Sequence, residues 1–244
     1  MKIDAKVQSI SKLKDYFFLV PDYQREYVWK PDDEVEQFLI DIENEYSPDA
    51  KEQRNYFLGS IIIVNNDRCF DVVDGQQRLT TIMLSLCVFR DLLKKETLNS
   101  AQKNYLQIIE NLLYNFDIES GETRVRLELQ YEESHDYLTA LIQEQPYNGV
   151  RSPSIERMQD AYTKILRHFQ LYAGIDELID FAKYCLTKIE LVVIESQDLS
   201  SALKIFETER NLAGCAGVQN IRCFIDRDRF SGQRCFLDFH AGAL

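Results

Sequence analysis

Apolar residues recur at helical spacing in several stretches of the chain. Between residues 35 and 42, behind Pro31 and a run of acidic side chains, they fall at i, i+3, i+4 and i+7, which is one face of a helix. The longest stretch runs from Gln76 to about Glu96 and is largely apolar, which indicates a helix at the centre of the core. Similar spacing predicts further helices near residues 101–114, 132–143, 153–171, 176–186 and 198–208.

Strand patterns lie between these helices. Residues 56–64 and 69–73 are rich in β-branched and aromatic residues, and the polar turn between them predicts a hairpin. Residues 188–194 form another apolar, β-branched run. Residues 124–129 alternate between polar and apolar side chains, which predicts a single half-exposed strand. The chain is therefore expected to combine a sheet with many helices.

Composition narrows the class of protein. The chain has 244 residues, with 40 acidic and 28 basic side chains and a formal net charge of -12. These values exclude collagenous, low-complexity and disordered classes, and they disfavour a surface that coats nucleic acid broadly, although a local basic pocket could contact phosphate. The N-terminus lacks the pattern of a signal peptide, and no apolar run has the roughly 18 residues of a membrane helix. We therefore expect a cytoplasmic protein with free thiols and no membrane partner.

The sharpest local motif is DVVDGQQRLTT at residues 71–81. A strand ends at Asp74, Gly75 permits a tight turn, and a helix follows, so unpaired backbone N–H groups and the positive end of a helix dipole face outward. The planar guanidinium group of Arg78 adds hydrogen-bond donors whose geometry matches phosphate oxygens, and the two glutamines add neutral donors. These features are typical of a phosphate cradle. The alternative is an ordinary helix start in which Asp74 caps the N–H groups and Arg78 is solvated.

A second motif, PDYQREYVW at residues 21–29, places an arginine among aromatic residues that include the only tryptophan. Aromatic faces can stack on a base or hold the arginine by a cation–π contact, and Gln24 can hydrogen-bond to a base or a phosphate. The alternative is an aromatic plug that closes a small core. From this motif alone, both interpretations stand.

Together with FLGSI at residues 57–61, these motifs closely resemble the N-terminal domain of GmrSD-type modification-dependent restriction endonucleases, which is related to ParB and sulfiredoxin. The order and spacing of the three blocks carry the resemblance, which extends more weakly to ALKIFET at residues 202–208. It implies an α+β fold. A small ParB/sulfiredoxin-like mixed sheet with helices is expected over residues 1–98, followed by a mostly helical subdomain over residues 99–208.

The resemblance also implies a site. In that family the DGQQR segment looks like a nucleotide-phosphate site, and the domain is associated with NTP hydrolysis that regulates DNA cleavage. Asp74 and Arg78 are then the predicted catalytic residues. Asp71 and Asp74 lie three residues apart across the strand end, and one of them could hold Mg²⁺ bound with the NTP; Asp74 is the favoured ligand. The full set of predicted nucleotide contacts is Tyr23, Gln24, Arg25, Asp74, Gly75, Gln76, Gln77, Arg78, Thr80 and Thr81.

The chain departs from the family pattern after residue 208. No lysine or glutamate occurs beyond Arg210, and an atypical segment replaces the helices with which the family continues. Residues 209–244 are therefore predicted to be an out-of-frame tail. Its cysteines lack the short Cys-x-x-Cys unit of a zinc site, so no metal site is predicted there.

Three functions are compatible with these motifs. The leading interpretation is a nucleotide-binding, NTP-hydrolysing regulatory domain of an anti-phage restriction system that lacks the nuclease domain, because His135 and His168 are far apart, form no nuclease motif and are predicted to lie on the surface. A nuclease domain or subunit would be supplied in trans, and modified DNA would be a further partner. The alternatives are a DNA-binding, modification-sensing module without turnover, and an inactive truncated remnant.

Overall fold

The computed structural model describes residues 3–118, 121–131, 134–172 and 174–205. In these ranges the strands are β1 (Ile3–Ser9), β2 (Phe18–Val20), β3 (Tyr56–Asn66), β4 (Cys69–Asp74), β5 (Tyr114–Asp117), β6 (Glu122–Val125), β7 (Leu127–Leu129) and β8 (Ile189–Ser196). The α-helices are α1 (Glu36–Glu45), α2 (Gln76–Lys94), α3 (Ser100–Leu113), α4 (His135–Ile142), α5 (Pro153–Phe169) and α6 (Ile175–Lys188). Residues 199–205 are also helical. The predicted tail, residues 209–244, lies outside the described residues, and none of the helices described is long and apolar enough to cross a membrane.

Six strands form one mixed sheet in the order β1-β8-β3-β4-β2-β7. Strand β8 lies between β1 and β3, antiparallel to the first and parallel to the second. Strands β3 and β4 form the predicted antiparallel hairpin, and β2 runs parallel to both β4 and β7. The α+β prediction is confirmed. Residues 1–98 and 99–208 both contribute strands to this sheet, and the division between them stays a prediction.

Helix α2 is the central element of the core. Its side chains are buried along most of its length, from Leu79 to Leu93, as expected for a helix that is apolar on most sides. It packs against α3 and α5. A second, smaller cluster lies across the sheet, where Ile62 of β3 meets Ala202 and Ile205. Because successive side chains of a strand point to opposite faces, the sheet is covered on both sides at β3.

The predicted single strand at residues 124–129 is wrong. Arg126 is the point at which the partner changes, because its N–H donates to the Leu113 carbonyl while its own carbonyl accepts from Phe18 N–H, both at 2.8 Å. The part before Arg126 pairs with β5 in a separate two-stranded sheet, whereas the part after it joins β2. Alternation of polar and apolar residues cannot reveal this change of partner, because the pattern does not depend on which strand lies alongside.

The predicted surface position of His168 is also wrong. The side chain is only 17% exposed, and its Nε2 lies 3.4 Å from Glu43 Oε2, an ion-pair distance without a well-formed hydrogen bond. His168 is in the last turn of α5 beside Phe169, whose ring stacks on Phe89 in the core. The histidine therefore lies at the border of the buried face of α5. The side chain of His135 lies outside what the structure describes.

A buried arginine joins α2 to α4. The Arg90 side chain is 1% exposed and donates to the Leu141 carbonyl at 3.0 Å and to the Ile142 carbonyl at 2.5 Å. It also donates to Asp91 at 2.8 Å, and the same carboxylate accepts a hydrogen bond from Tyr162 of α5. Three helices therefore meet at one guanidinium group.

Replacing Arg90 with methionine is expected to lower the free energy of unfolding by about 3 to 4 kcal/mol, because it leaves two carbonyls without this donor and removes one of the two donors to Asp91. Chemical denaturation followed by circular dichroism measures the change. Arg167→Met is the matched control, since Arg167 is exposed on α5 and makes no hydrogen bond or ion pair within the described chain. Similar losses in both variants would contradict the role given to Arg90.

Candidate functional site

The turn between β4 and α2 is the centre of the candidate site. Strand β4 ends at Asp74, Gly75 adopts the left-handed conformation with φ 87°, and the first helical hydrogen bond runs from Leu79 N–H to the Gly75 carbonyl at 2.9 Å. The Asp74 carboxylate makes no hydrogen bond within the described part of the chain. The alternative of a helix start capped by Asp74 is therefore not what these residues form.

Glycine is required at position 75 for two reasons. Its positive φ is unfavourable for other residues, and a Cβ there would lie 2.6 Å from Ile61 Cγ2 and 3.2 Å from Ile61 Cα. The turn therefore packs directly onto β3. The motif at residues 57–61 is therefore in direct contact with the motif at residues 71–81.

Arg78 occupies a notch in β3. The pairing of β3 with β8 shifts between Phe57 and Gly59, and Gly59 has φ +127°. A Cβ on Gly59 would lie 2.8 Å from Arg78 Cζ, and Arg78 Nη1 donates to the Ser60 carbonyl at 2.6 Å. The guanidinium group is therefore partly buried against the strand instead of solvated. Its contact with phosphate stays a prediction.

The segment 24–28, here called the strap, lies across the start of α2. Gln24 Nε2 donates to the Val73 carbonyl at 3.1 Å, and Gln76 Nε2 donates to the Arg25 carbonyl at 2.9 Å. Gln77 makes two bonds with the strap, in which its Nε2 donates to the Glu26 carbonyl and its Oε1 accepts from Val28 N–H, both at 2.9 Å. The strap pairs with no strand among the described residues. Its backbone groups are instead hydrogen-bonded by the side-chain amides of Gln76 and Gln77.

A buried tyrosine fixes the middle of the strap. The Tyr27 hydroxyl lies 2.9 Å from Thr81 Oγ1, and burial raises the pKa of Tyr27 well above its ordinary value. Thr81 also donates to the Gln77 carbonyl, and Thr80 is buried beside it. The two threonines are therefore directed into the protein, and their predicted contact with a nucleotide stays a prediction.

Residues from the second half of the chain complete the strap's environment. The Tyr131 hydroxyl donates to the Arg25 carbonyl at 2.8 Å, and Ser154 Oγ accepts from Tyr27 N–H at 3.2 Å. Ser134 Oγ lies 3.3 Å from Glu26 Oε1. Sequence reasoning missed these three residues, and it had no local signal by which to find them. It also left Gly59 without a role, although a glycine inside a strand pattern is itself a sign of a bulge or a close contact.

Three of the predicted contact residues have side chains that make no hydrogen bond or ion pair with the rest of the described protein. Arg25 is exposed and Asp74 is half-buried, and neither makes a hydrogen bond or an ion pair within the described chain. Tyr23 is 59% exposed. Partial burial raises the pKa of Tyr23, with smaller contributions from Asp71 and Asp22, so these carboxylates lie near its hydroxyl. Asp74 directly precedes the start of α2, and Tyr23 and Arg25 flank Gln24, whose Nε2 donates to the Val73 carbonyl.

The remaining polar side chains of the motif at residues 71–81 are mostly bonded within the protein. The side chains of Gln76 and Gln77 are 7% and 6% exposed and are bonded to the strap, so a phosphate contact from this stretch would come from backbone N–H groups. Asp71 accepts from Asn66 Nδ2 at 3.1 and 3.2 Å within the hairpin. Asp74 is therefore the better placed carboxylate for a metal ion. Asp74 stands alone in this respect, since within the described ranges no three acidic, cysteine or histidine side chains are grouped as a metal site.

A Mg²⁺ ion bound with an NTP fits this arrangement. Such ions are held by one or two carboxylates together with phosphate oxygens and water, and they do not require a cage of protein ligands. Asp74 lies next to the helix start, and its carboxylate oxygens have no hydrogen-bond or ion-pair partner among the described residues. They could therefore serve as ligands of the ion. The predicted role of Asp74 as metal ligand stays a prediction.

Comparison with known proteins gives one match to a family. The model of the family described as "GmrSD restriction endonuclease, N-terminal domain" matches residues 7–209. This span contains the turn, the strap, the notch in β3 and the residues of the second half that hold the strap. The search of curated proteins finds no match.

Replacing Gly59 with alanine is expected to lower the free energy of unfolding by about 3 kcal/mol, because the new methyl group combines backbone strain with a clash against Arg78. Thermal or chemical denaturation measures the loss. Gly121→Ala is a suitable control, since Gly121 also has a positive φ but has open space around it, and its loss should stay near 1 kcal/mol. Equal losses at the two glycines would show that the contact with Arg78 contributes little.

Proposed function

Because the chain belongs to the family of GmrSD restriction endonuclease N-terminal domains, we propose that it is a nucleotide-binding, NTP-hydrolysing regulatory domain of a modification-dependent, anti-phage restriction system. It would act in the cytoplasm, with modified DNA as a further partner and with a nuclease domain or subunit supplied in trans. The proposed cofactor is Mg²⁺ bound with the NTP.

One observation carries the proposal. The backbone around the turn is held by many hydrogen bonds, yet Tyr23, Arg25 and Asp74 have side chains that make no hydrogen bond or ion pair in the described protein. An exposed cation and an aromatic ring on a fixed backbone lose little additional entropy when a ligand binds, so they are suited to recognition. The helix start beside them supplies N–H donors for an anion.

The roles follow from the chemistry of each group. Backbone N–H groups of residues 75–77, with the guanidinium group of Arg78, would hold phosphate oxygens. Arg25 would reach the phosphates from the strap, and Tyr23 would stack on the base. Asp74 would hold the metal ion or the attacking water, and the ion, when bound, would neutralise charge on the phosphates. Gln24, Gln76, Gln77, Thr80 and Thr81 would keep these groups in place.

The competing function is a DNA sensor without turnover. The exposed pair Tyr23 and Arg25 could contact a base and a phosphate of DNA as well as those of a nucleotide. A net charge of -12 opposes broad binding to DNA, so this reading would require a small local contact. Turnover separates the two functions.

Phosphate release should be measured with each NTP and Mg²⁺, with and without DNA. Arg25→Ala is expected to weaken nucleotide binding by about 10- to 100-fold, the range for a charge-assisted contact. Asp74→Asn is expected to reduce kcat by roughly 100-fold, and Arg78→Ala to abolish turnover.

Arg167→Ala is the control, because Arg167 lies near the far end of α5, about 20 Å along the helix from Ser154. Its kinetics should match those of the parent protein. DNA binding without release of phosphate from any NTP would support the sensor instead. If the protein binds neither nucleotide nor DNA, the remaining alternative is that it is an inactive truncated remnant.

A second prediction concerns DNA cleavage. The purified chain is expected to leave DNA intact in the presence of Mg²⁺ or Mn²⁺, because its histidines form no nuclease motif. Gel electrophoresis of supercoiled plasmid, with modified and unmodified bases, measures nicking. Metal-dependent nicking that disappears in Asp71→Ala or Asp74→Ala would overturn this prediction.

A further inference from the structure

The carbonyl of Arg25 receives two hydrogen bonds from opposite parts of the chain. Gln76 Nε2 donates to it at 2.9 Å from the first turn of α2, and the Tyr131 hydroxyl donates to it at 2.8 Å. The Tyr131 hydroxyl also lies 3.3 Å from Gln76 Oε1. The three groups form a closed triangle, which leaves this carbonyl little freedom to rotate.

Tyr131 is itself firmly placed. It follows β7, and Gln130 N–H donates to the Val20 carbonyl at 2.9 Å, so the pairing of β7 with β2 continues to the residue before it. The side chain is 3% exposed, and burial raises the pKa of its hydroxyl well above the ordinary value. Nearby Glu26 raises the pKa further, and Arg25 partly offsets it. The hydroxyl therefore remains a hydrogen-bond donor across the accessible pH range.

The Arg25 side chain has no such support. It is exposed and makes no hydrogen bond or ion pair within the described chain, so its direction depends on the backbone that carries it. The adjacent peptides are held by Gln24 and Gln77, and the carbonyl of Arg25 itself is held by Gln76 and Tyr131. Tyr131 is the member of this set that comes from the second half of the chain.

We propose that Tyr131 is a positioning residue for the nucleotide contact of Arg25, through which the second half of the chain sets nucleotide affinity. The proposal rests on the proposed function, because it assigns Arg25 to the phosphates. Ser154, whose Oγ accepts from Tyr27 N–H, lies in the first turn of α5 and connects the same half of the chain to the strap. A displacement of β7 or α5 would therefore move Arg25.

The experiment compares Tyr131→Phe with the parent protein. The variant keeps the buried ring and removes only the hydroxyl. Amide hydrogen exchange over the strap should become faster in the nucleotide-free protein, and nucleotide affinity should fall by about 3- to 10-fold, the range for one hydrogen bond. KM should rise while kcat changes less than twofold, because the contact holds the ground state and the transition state alike.

A double-mutant cycle with Arg25→Ala tests whether the effect passes through Arg25. In the Arg25→Ala background, Tyr131→Phe should produce no further loss of affinity. The control is Tyr147→Phe, since the Tyr147 hydroxyl also donates to a backbone carbonyl, that of Val150 at 3.0 Å, away from the strap. The control should leave both affinity and strap exchange unchanged.

Two results would overturn the proposal: unchanged strap exchange in Tyr131→Phe, or a loss of affinity that is fully additive with that of Arg25→Ala. If the parent protein binds no nucleotide, the proposed function fails, and the exchange measurement still decides the positioning role. Faster exchange confined to the strap would then support Tyr131 as its anchor. The two failures are therefore distinguishable.

Discussion

The close contact between the start of α2 and strand β3 is the constraint on which the rest of the structure depends. Gly59 leaves room for the Arg78 guanidinium group, and Gly75 leaves room for Ile61, so the helix start lies directly on the strand. Because α2 is also the centre of the core, this contact determines where its first turn faces. The strap can bind there only because the two glutamines of that turn point toward it. A side chain at either glycine would disturb the core and the candidate site together.

Polar side chains at the site either hold the backbone or remain available to a ligand. Gln77 provides both a donor and an acceptor, so one amide satisfies a carbonyl and an N–H of a segment that pairs with no strand. Fixing the strap in this way removes most of the entropy that binding would otherwise have to overcome. The overall charge of -12 does not prevent an anion from binding, because at physiological ionic strength distant carboxylates are screened beyond about 8 Å. In the proposed site, the helix start, Arg25 and Arg78 would act on the anion at contact distance.

Local patterns predicted the elements that depend on local sequence. The β3–β4 hairpin and helices α2 and α5 were found because their periodicity lies within one segment, and the helix start at Gly75 was found from turn chemistry. The contact of Gly59 with Arg78 was not found, since a glycine in a strand shows that something comes close without showing what it is. Tyr131 was missed for a similar reason. Its importance comes from the partner that β7 selects, and alternation of side chains carries no information about partners.

The order of strands shows why the site belongs to the whole matched span and not to its first part. Strand β8 lies between β1 and β3, so without it β1 would have no partner in the sheet and β3 would present an unpaired edge. Without Tyr131, Ser134 and Ser154, the strap would also lose its hydrogen bonds to the second half of the chain. The turn and the strap lie early in the sequence, but the groups that hold them in place come from both halves of the family match at residues 7–209. Formation of the candidate site is therefore tied to folding of both halves of the described chain, and the strap that carries Arg25 is joined to the second half by hydrogen bonds already present in the folded protein.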